Sequence, residues 1–199
     1  MKIKYINYLL CLVAIICSIY LVITRDNQVG LILKDLSIIF TITLLFIFEK
    51  LLKVKISDGI KFVYILFVFM AHFLGATIEL YNKINYFDKV THTLSGVLTG
   101  YLSLFLLFLM NKYNKNEKIF NIIYIIIFTL AVAAFWEIFE YSANILFGGD
   151  AQRVQLTGVN DTMQDIIVAL LGSIMVVVIY LFYNHSKIFN FDDSIERLK

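Results

Sequence analysis

The chain has 199 residues, of which 60% are hydrophobic and 16% are charged, and its formal net charge is +2. A soluble globular domain is usually about 45–50% apolar and about 25% charged, so this composition excludes an ordinary soluble domain and predicts a polytopic membrane protein. Both cysteines lie in the first apolar run, which gives no support to a disulfide framework, a zinc finger or a redox pair.

Six apolar runs of about 20 residues follow one another along the chain, and each is long enough to cross a bilayer core. They predict an all-α fold, a polytopic transmembrane helix bundle of six spans. The first run follows Lys2 and Lys4, but it is too long for the apolar part of a signal peptide and no small-x-small cleavage site follows, so we expect it to be retained. The predicted spans are Tyr5–Thr24, Leu31–Phe48, Ile60–Tyr81, Val90–Met110, a fifth from Ile119 to between Tyr141 and Phe147, and Met163–Tyr183.

The predicted domain organisation is simple. Residues 1–185 form a single six-helix transmembrane domain, and residues 186–199 form a short polar cytoplasmic tail. Two pairs of small residues, Gly96 with Gly100 and Ala169 with Ser173, are spaced by four residues in spans four and six. Such pairs allow close helix approach in lipid, so we interpret them as packing positions.

The distribution of basic residues predicts the orientation, because Lys and Arg are concentrated on the cytoplasmic side of membrane proteins. The N-terminus, the connections after spans two and four, and the C-terminal tail together hold 12 of the 17 Lys and Arg residues. Both termini are therefore expected in the cytoplasm. The outer half holds five basic and nine acidic residues, a net charge of −4, which attracts cations.

Ionisable side chains collect in the outer halves of spans three to six. A carboxylate inside a bilayer costs roughly 2.5–3.5 kcal/mol on insertion scales, so intramembrane carboxylates are functional candidates by default. Glu137 and Glu140 lie within the apolar stretch Phe135–Tyr141, and helical spacing places each of the other pairs on one helix face. The eight predicted ligands are His72 with Glu79, Asp88 with His92, Glu137 with Glu140, and Asp161 with Asp165.

Six carboxylates and two histidines on facing helices are the ligands of a divalent metal site in a helix bundle, although their number does not identify the metal. A bound ion would activate water at the outer leaflet, with Glu137, Glu140, His92 and Asp165 as the catalytic set. Ser95 is a weaker nucleophile candidate, since its Ser-Gly setting is typical of packing.

Structural roles are open for the same residues. Asp88 and Asp161 could be helix caps, Glu79 an exposed interfacial residue, and His72 a hydrogen-bonded core histidine. Glu137, Glu140, His92 and Asp165 could form a buried network that holds the bundle together. Arg153 is the natural salt-bridge partner for one carboxylate, and Gly148–Asn160 could fold back as a lid.

The polar residues fall into short motifs in a fixed order: Gly75-Ala76-x-x-Glu79-x-Tyr81, Asp88-Lys89-Val90-x-His92-x-x-Ser95-Gly96, Trp136-Glu137-x-x-Glu140, Asp161-Thr162-x-x-Asp165 and Ala169-x-x-Gly172. This pattern, over Ala71 to Gly172, resembles the YjdF-like family of small bacterial inner-membrane proteins. It is more loosely similar to VanZ-like proteins, which are associated with glycopeptide-antibiotic tolerance. VanZ-like chains usually carry an Asn one turn after the last Asp, where this chain has Ala169. The resemblance implies a fold and a compartment, and no reaction.

Three functions remain open on the sequence. The first is a metal-dependent hydrolase or transferase that acts at the outer leaflet on a lipid or lipid-linked substrate. The second is a non-catalytic stress, assembly or ligand-binding factor with a structural polar cluster, and the third is a small ion or solute transporter. We expect a multi-pass protein of the bacterial plasma membrane, in contact with membrane lipid, and no nucleic-acid partner because topology explains the basic residues. The sequence does not indicate an oligomeric state.

Overall fold

A computed structural model describes residues 3–24, 29–148, 158–182 and 195–197 of the chain. The chain divides into two compact units, one formed by residues 1–91 with 183–199 and the other by residues 92–182. The division falls inside one continuous helix, between Thr91 and His92. Each unit is described by itself below.

The first unit contains three long helical stretches. They are α1 (Ile3–Thr24), α2 (Val29–Leu52), and α3 (Asp58–Val68), which continues without a break as a π-helix over Phe69–Thr77. The short helix α4 (Leu80–Lys83) follows. Two short strands, β1 (Val54–Ile56) and β2 (Ile195–Arg197), pair antiparallel, so that the C-terminal strand lies against the connection between α2 and α3.

Buried apolar side chains hold the three helices of this unit together. Ala14, Ile38, Ile42, Val68 and Phe73 form a buried cluster at their centre. The buried face of α1 consists of small or polar residues while large apolar side chains point outward, as expected of a helix that meets its neighbours in lipid.

Polar contacts tie down the cytoplasmic end that the sequence predicts for this unit. The Asn7 amide donates a hydrogen bond of 2.9 Å to the Asp58 carbonyl, which joins the start of α1 to the start of α3. Glu49 accepts the backbone N–H of Ile56 at 2.7 Å and forms a 2.7 Å ion pair with Lys61. Both partners of the ion pair are largely shielded, so this charge-assisted network fixes the connection that carries β1.

The π-helix corrects one sequence-based argument. His72 and Glu79 were predicted to share a face because seven residues make two α-helical turns. The segment Phe69–Thr77 is wound more loosely than an α-helix, and Glu79 lies outside it in a left-handed conformation with φ of 66°. The spacing argument, which assumes 3.6 residues per turn, therefore does not hold for this segment.

The second unit consists of three long helices: α5 (Phe87–Leu109), whose first turn belongs to the first unit, α6 (Lys118–Phe147) and α7 (Asn160–Phe182). A Cβ atom on Gly96 would overlap the backbone carbonyl of Ala169, and one on Gly172 would overlap the Thr93 carbonyl. The backbones of α5 and α7 are therefore in direct contact. Because residues later in α5 meet residues later in α7, as Gly100 meets Val176, the two helices run parallel.

Helix α6, which lies between α5 and α7 in the sequence, runs antiparallel to both. Its start meets the end of α7, where the Asn121 amide donates to the Tyr180 hydroxyl at 2.8 Å, and the Thr99 and Thr129 hydroxyls lie 3.3 Å apart between α5 and α6. The buried face of α6 is a single stripe in which every fourth residue is buried. We call it the α6 stripe, and it consists of Asn121, Ile125, Thr129, Ala133 and Glu137.

Most predicted spans are confirmed as helices, with ends shifted by a few residues. Among the described residues, five helices are long and apolar enough to cross a membrane: Ile3–Thr24, Asp58–Thr77, Phe87–Leu109, Lys118–Leu146 and Asn160–Phe182. The second predicted span lies within α2, and the total of six crossings, the single domain over 1–185 and the cytoplasmic tail 186–199 stay predictions. Arg153 and most of the proposed lid Gly148–Asn160 lie outside the described residues.

The contact of α5 with α7 generates a prediction about stability. Gly96→Ala places a methyl group on a backbone carbonyl that cannot move away, so we expect a loss at the upper end of the roughly 1–3 kcal/mol that overpacking costs. Gly100→Ala is the matched control, because the nearest atom is the Val176 side-chain Cγ2 at 3.0 Å and the alanine adds about 1 kcal/mol of helix propensity. Thermal unfolding in one detergent compares them, and equal melting temperatures would contradict the packing described.

Candidate metal centre

Two of the predicted ligands meet across the contact between α5 and α7. The Nε2 atom of His92 lies 3.8 Å from Oδ1 of Asp165, and both side chains are buried. Asp88 precedes His92 by one helical turn on α5, so the continuous helix itself places it on the same face. Each of the three side chains offers one ligand atom, and these atoms lie within 4.8 Å of one another. We call Asp88, His92 and Asp165 the triad.

The backbone contact explains why the triad forms. Gly96 follows His92 by four residues and Ala169 follows Asp165 by four, and these two positions touch. Helices that pack through larger side chains lie about 8–10 Å apart, which would separate the two ligands. The small residues thus bring an imidazole and a carboxylate together one turn above them.

The triad has a spacing compatible with one divalent ion. Ligand atoms each about 2.1 Å from a shared Zn²⁺ or Mg²⁺ ion are about 3–4 Å from one another. The 3.8 Å from His92 to Asp165 is within that range, and the 4.8 Å limit on the whole group requires only small side-chain adjustments. One imidazole with two carboxylates suits a borderline ion such as Mn²⁺, Fe²⁺ or Zn²⁺.

Glu137 lies at the depth of the triad on the third helix. From the Thr99–Thr129 contact, His92 is seven residues back along α5 and Glu137 is eight residues on along α6. From the Asn121–Tyr180 contact, Asp165 is 15 residues back along α7 and Glu137 is 16 residues on along α6. Both counts agree to within one residue, about 1.5 Å along a helix. Glu137 ends the α6 stripe and is 5% exposed, so it faces the interior of this unit.

Glu140 has a different setting from Glu137. It accepts a hydrogen bond of 2.8 Å from the indole N–H of Trp136, and Trp136 is half exposed on the outer surface of α6. Asp161 is buried in the first turn of α7, one turn before Asp165. His72 lies in the π-helix of the first unit and Glu79 is exposed at its end. Within the described part of the chain, the group of close ligand atoms holds three of the eight predicted ligands.

The sequence-based prediction missed the neutral polar residues that are buried at mid-depth and at the opposite end of the second unit. Asn121 is fully buried and donates to the Asn114 carbonyl as well as to Tyr180, and Thr99 and Thr129 are buried at mid-depth. Their signal in the sequence is a polar residue in an otherwise apolar span, at the same four-residue spacing as Glu137. An ionisable side chain in an apolar span is conspicuous because its charge is costly in a bilayer, whereas a neutral polar side chain carries no charge penalty.

The long apolar helices define a mostly helical, multi-pass membrane protein, and the triad forms a polar group between two of these helices, α5 and α7. A family model for predicted membrane proteins, DUF2238, matches residues 6–186. The chain therefore belongs to this family, which is consistent with the resemblance to YjdF-like membrane proteins, whereas the likeness to VanZ-like proteins stays a prediction. No curated protein and no solved structure matches the chain.

The shared depth of Glu137 and Asp165 can be tested by cross-linking. In a background with Cys11→Ser and Cys17→Ser, the pair Glu137→Cys and Asp165→Cys should be joined within one molecule by a short bismaleimide, because both side chains face the interior at one level. The control pair is Ile138→Cys with Asp165→Cys, since Ile138 neighbours Glu137 and is 57% exposed. Intact-protein mass spectrometry measures the yield, and a control pair that cross-links as well as the first would contradict this register.

Proposed function

We propose that this protein binds one divalent metal ion through Asp88, His92 and Asp165, with Glu137 beside the ion. The observation that carries the proposal is the mutual approach of the three ligand atoms to within 4.8 Å. Burial supports it, because buried carboxylates need compensating charge and a dication supplies it. Three protein ligands leave coordination positions open, as catalytic metal sites require.

The metal site suits a hydrolase or transferase that acts on a lipid or lipid-linked substrate at the outer leaflet. A bound ion of this kind activates water or polarises the bond that is broken. Glu137 is placed to exchange a proton with a group held at the ion. Trp136 next to it is half exposed, and exposed tryptophans mark the headgroup level of a membrane, which is where lipid head groups would reach the site.

A structural role is the second candidate, and the His92–Asp165 contact favours it. The two side chains face each other at 3.8 Å, directly above the tight contact of α5 with α7. An ion pair there would lock the two helices in register. In that case the protein would be a non-catalytic membrane factor, and its stability would not depend on metal.

We further propose that both termini and the α2–α3 connection face the bacterial cytoplasm, so that the triad opens to the other side. The β1–β2 pairing and the Asn7–Asp58 hydrogen bond support this, because they gather the start of α1, that connection and the C-terminal strand at one end of the first unit. For these three segments to lie on one side of the membrane, the chain must cross it an even number of times between one segment and the next. The excess of Lys and Arg in these segments favours the cytoplasm.

Metal analysis tests the proposed site directly. Purified protein should hold about one Mn²⁺ or Zn²⁺ per chain by plasma mass spectrometry after dialysis against either ion. His92→Ala and Asp165→Asn should each weaken binding by at least tenfold, since loss even of a group that only supports a ligand typically costs 10–100-fold. Glu137→Gln should have a smaller effect, because the triad remains.

Glu140→Gln is the matched control for these variants. It removes a carboxylate one turn from Glu137 whose hydrogen bond goes to Trp136, so metal content should stay at the wild-type level. Full metal retention in Asp165→Asn would exclude the triad as the site. If the triad binds metal, the melting temperature of both wild type and Glu140→Gln should fall when the metal is removed. If the triad is only a structural contact, removal of metal should leave the melting temperature unchanged.

The orientation can be tested with reporter fusions. Alkaline phosphatase, which is active only outside the cytoplasm, should be inactive when fused after Lys199 and active when fused within the Gly148–Asn160 connection. Green fluorescent protein at the same positions should give the opposite pattern. An active phosphatase at the C-terminus would place the triad on the cytoplasmic side.

A further inference from the structure

The site includes a cation that the proposed metal centre does not use. The ammonium of Lys89 lies 3.5 Å from Oδ2 of Asp88, and its side chain is only 13% exposed. Lysine is rarely buried to this degree without a reason, since its ammonium is strongly hydrated. Lys89 precedes His92 by three residues, which places both on one face of α5. A positive charge therefore lies within ion-pair distance of a triad carboxylate.

Two helix ends add positive potential at the same place. Because α5 and α7 run parallel, both begin at the end where the triad lies, with Asp88 and Asp161 in their first turns. The N-terminus of a long helix carries about half a positive charge and favours anions. These two ends and Lys89 offset the carboxylates of the site, so an anion can approach the metal from the helix ends without net repulsion.

Resting on the proposed metal function, we infer that the ligand of this site is a phosphate ester, held by the ion and by the ammonium of Lys89. Mg²⁺ is typically bound by one or two carboxylates together with the phosphate of a substrate, and carboxylate ligands suit Mn²⁺ as well. Lysine is a common point-charge partner for phosphate. The triad supplies few protein ligands, and the lysine beside it is placed to bind a second phosphate oxygen.

Alternatives fit the site less well. A neutral head group such as a sugar would accept a hydrogen bond from the ammonium but would gain no attraction between opposite charges. A cationic ligand would be repelled by Lys89, by the helix ends and by the ion. If Lys89 only neutralised Asp88, it would compete with the metal for that carboxylate, and its removal would change metal binding without changing any response to phosphate.

The test measures Mn²⁺ affinity by electron paramagnetic resonance in a phosphate-free maltoside detergent, with and without inorganic phosphate. In wild type, phosphate should tighten Mn²⁺ binding by about tenfold or more, because ligands that bind together strengthen each other equally. Lys89→Met and Lys89→Gln should bind Mn²⁺ at least as tightly as wild type and lose most of this phosphate effect. Lys89→Arg should retain part of it.

Lys83→Met is the matched control, because Lys83 lies on the neighbouring α4, is exposed and donates to the Ile78 carbonyl at 2.8 Å. It should leave both quantities unchanged. A second arm separates the sources of phosphate: nanodiscs of a neutral galactolipid are compared with the same discs containing phosphatidic acid. A shift with phosphatidic acid at concentrations where inorganic phosphate has none identifies a lipid phosphate, and the reverse identifies a free one.

The outcomes distinguish this inference from the function on which it rests. Mn²⁺ binding with no response to either phosphate source, or a response that survives in both Lys89→Met and Lys89→Gln, overturns the phosphate inference and leaves the metal site standing. Absence of Mn²⁺ binding in wild type overturns both. Melting curves of the Lys89 variants, recorded alongside, confirm that a lost response comes from folded protein.

Discussion

The direct backbone contact of α5 with α7 is the constraint on which the second unit depends. At Gly96 and Gly172 there is no room for a single methyl group, so the helices approach more closely than branched side chains would allow. Because α5 and α7 run parallel, the chain has to run back in the opposite direction before α7 begins, and α6 does this. The same contact brings His92 within 3.8 Å of Asp165, because each lies one turn from the small residue that makes the contact. Packing and the polar site therefore share one cause.

Parallel packing also shapes the electrostatics of the site. It gathers two positive helix ends and the residues of two first turns at one end of the unit, which favours charged groups there. Helix α6 adds one stripe, whose last member is Glu137. Most of its other side chains face outward, among them Trp136, which bonds Glu140 on the outer surface. The two carboxylates are three residues apart and have different surroundings: Glu137 is buried inside the unit, whereas Glu140 bonds to Trp136 on its outer surface.

In the first unit, the polar groups at the connection between α2 and α3 bond to one another. Its connection between α2 and α3 contains a strand, an ion pair and a helix cap by Ser57, and the C-terminal strand completes the pairing of β1. Toward the other end of α3, the chain widens into a π-helix and then turns at Glu79. Long π-helical stretches are uncommon and are frequently found at functional sites, which makes the segment around His72 the part of this unit where function would next be sought.

Much of this protein could be predicted from its sequence. Length and apolarity are sufficient to place the long helices, since a bilayer demands about 20 apolar residues of any helix that crosses it. The spacing of Asp88 and His92 follows from helical geometry alone, and the small residues at Gly96 and Ala169 mark a packing face.

Tertiary structure decided the rest. Which helices are neighbours, and in which register, depends on contacts between distant residues that periodicity does not encode, so the meeting of His92 with Asp165 and the outward setting of Glu140 were not determined by spacing. The π-helix over Phe69–Thr77 was not determined either, because hydrophobic periodicity identifies a helix without distinguishing a π-helix from an α-helix.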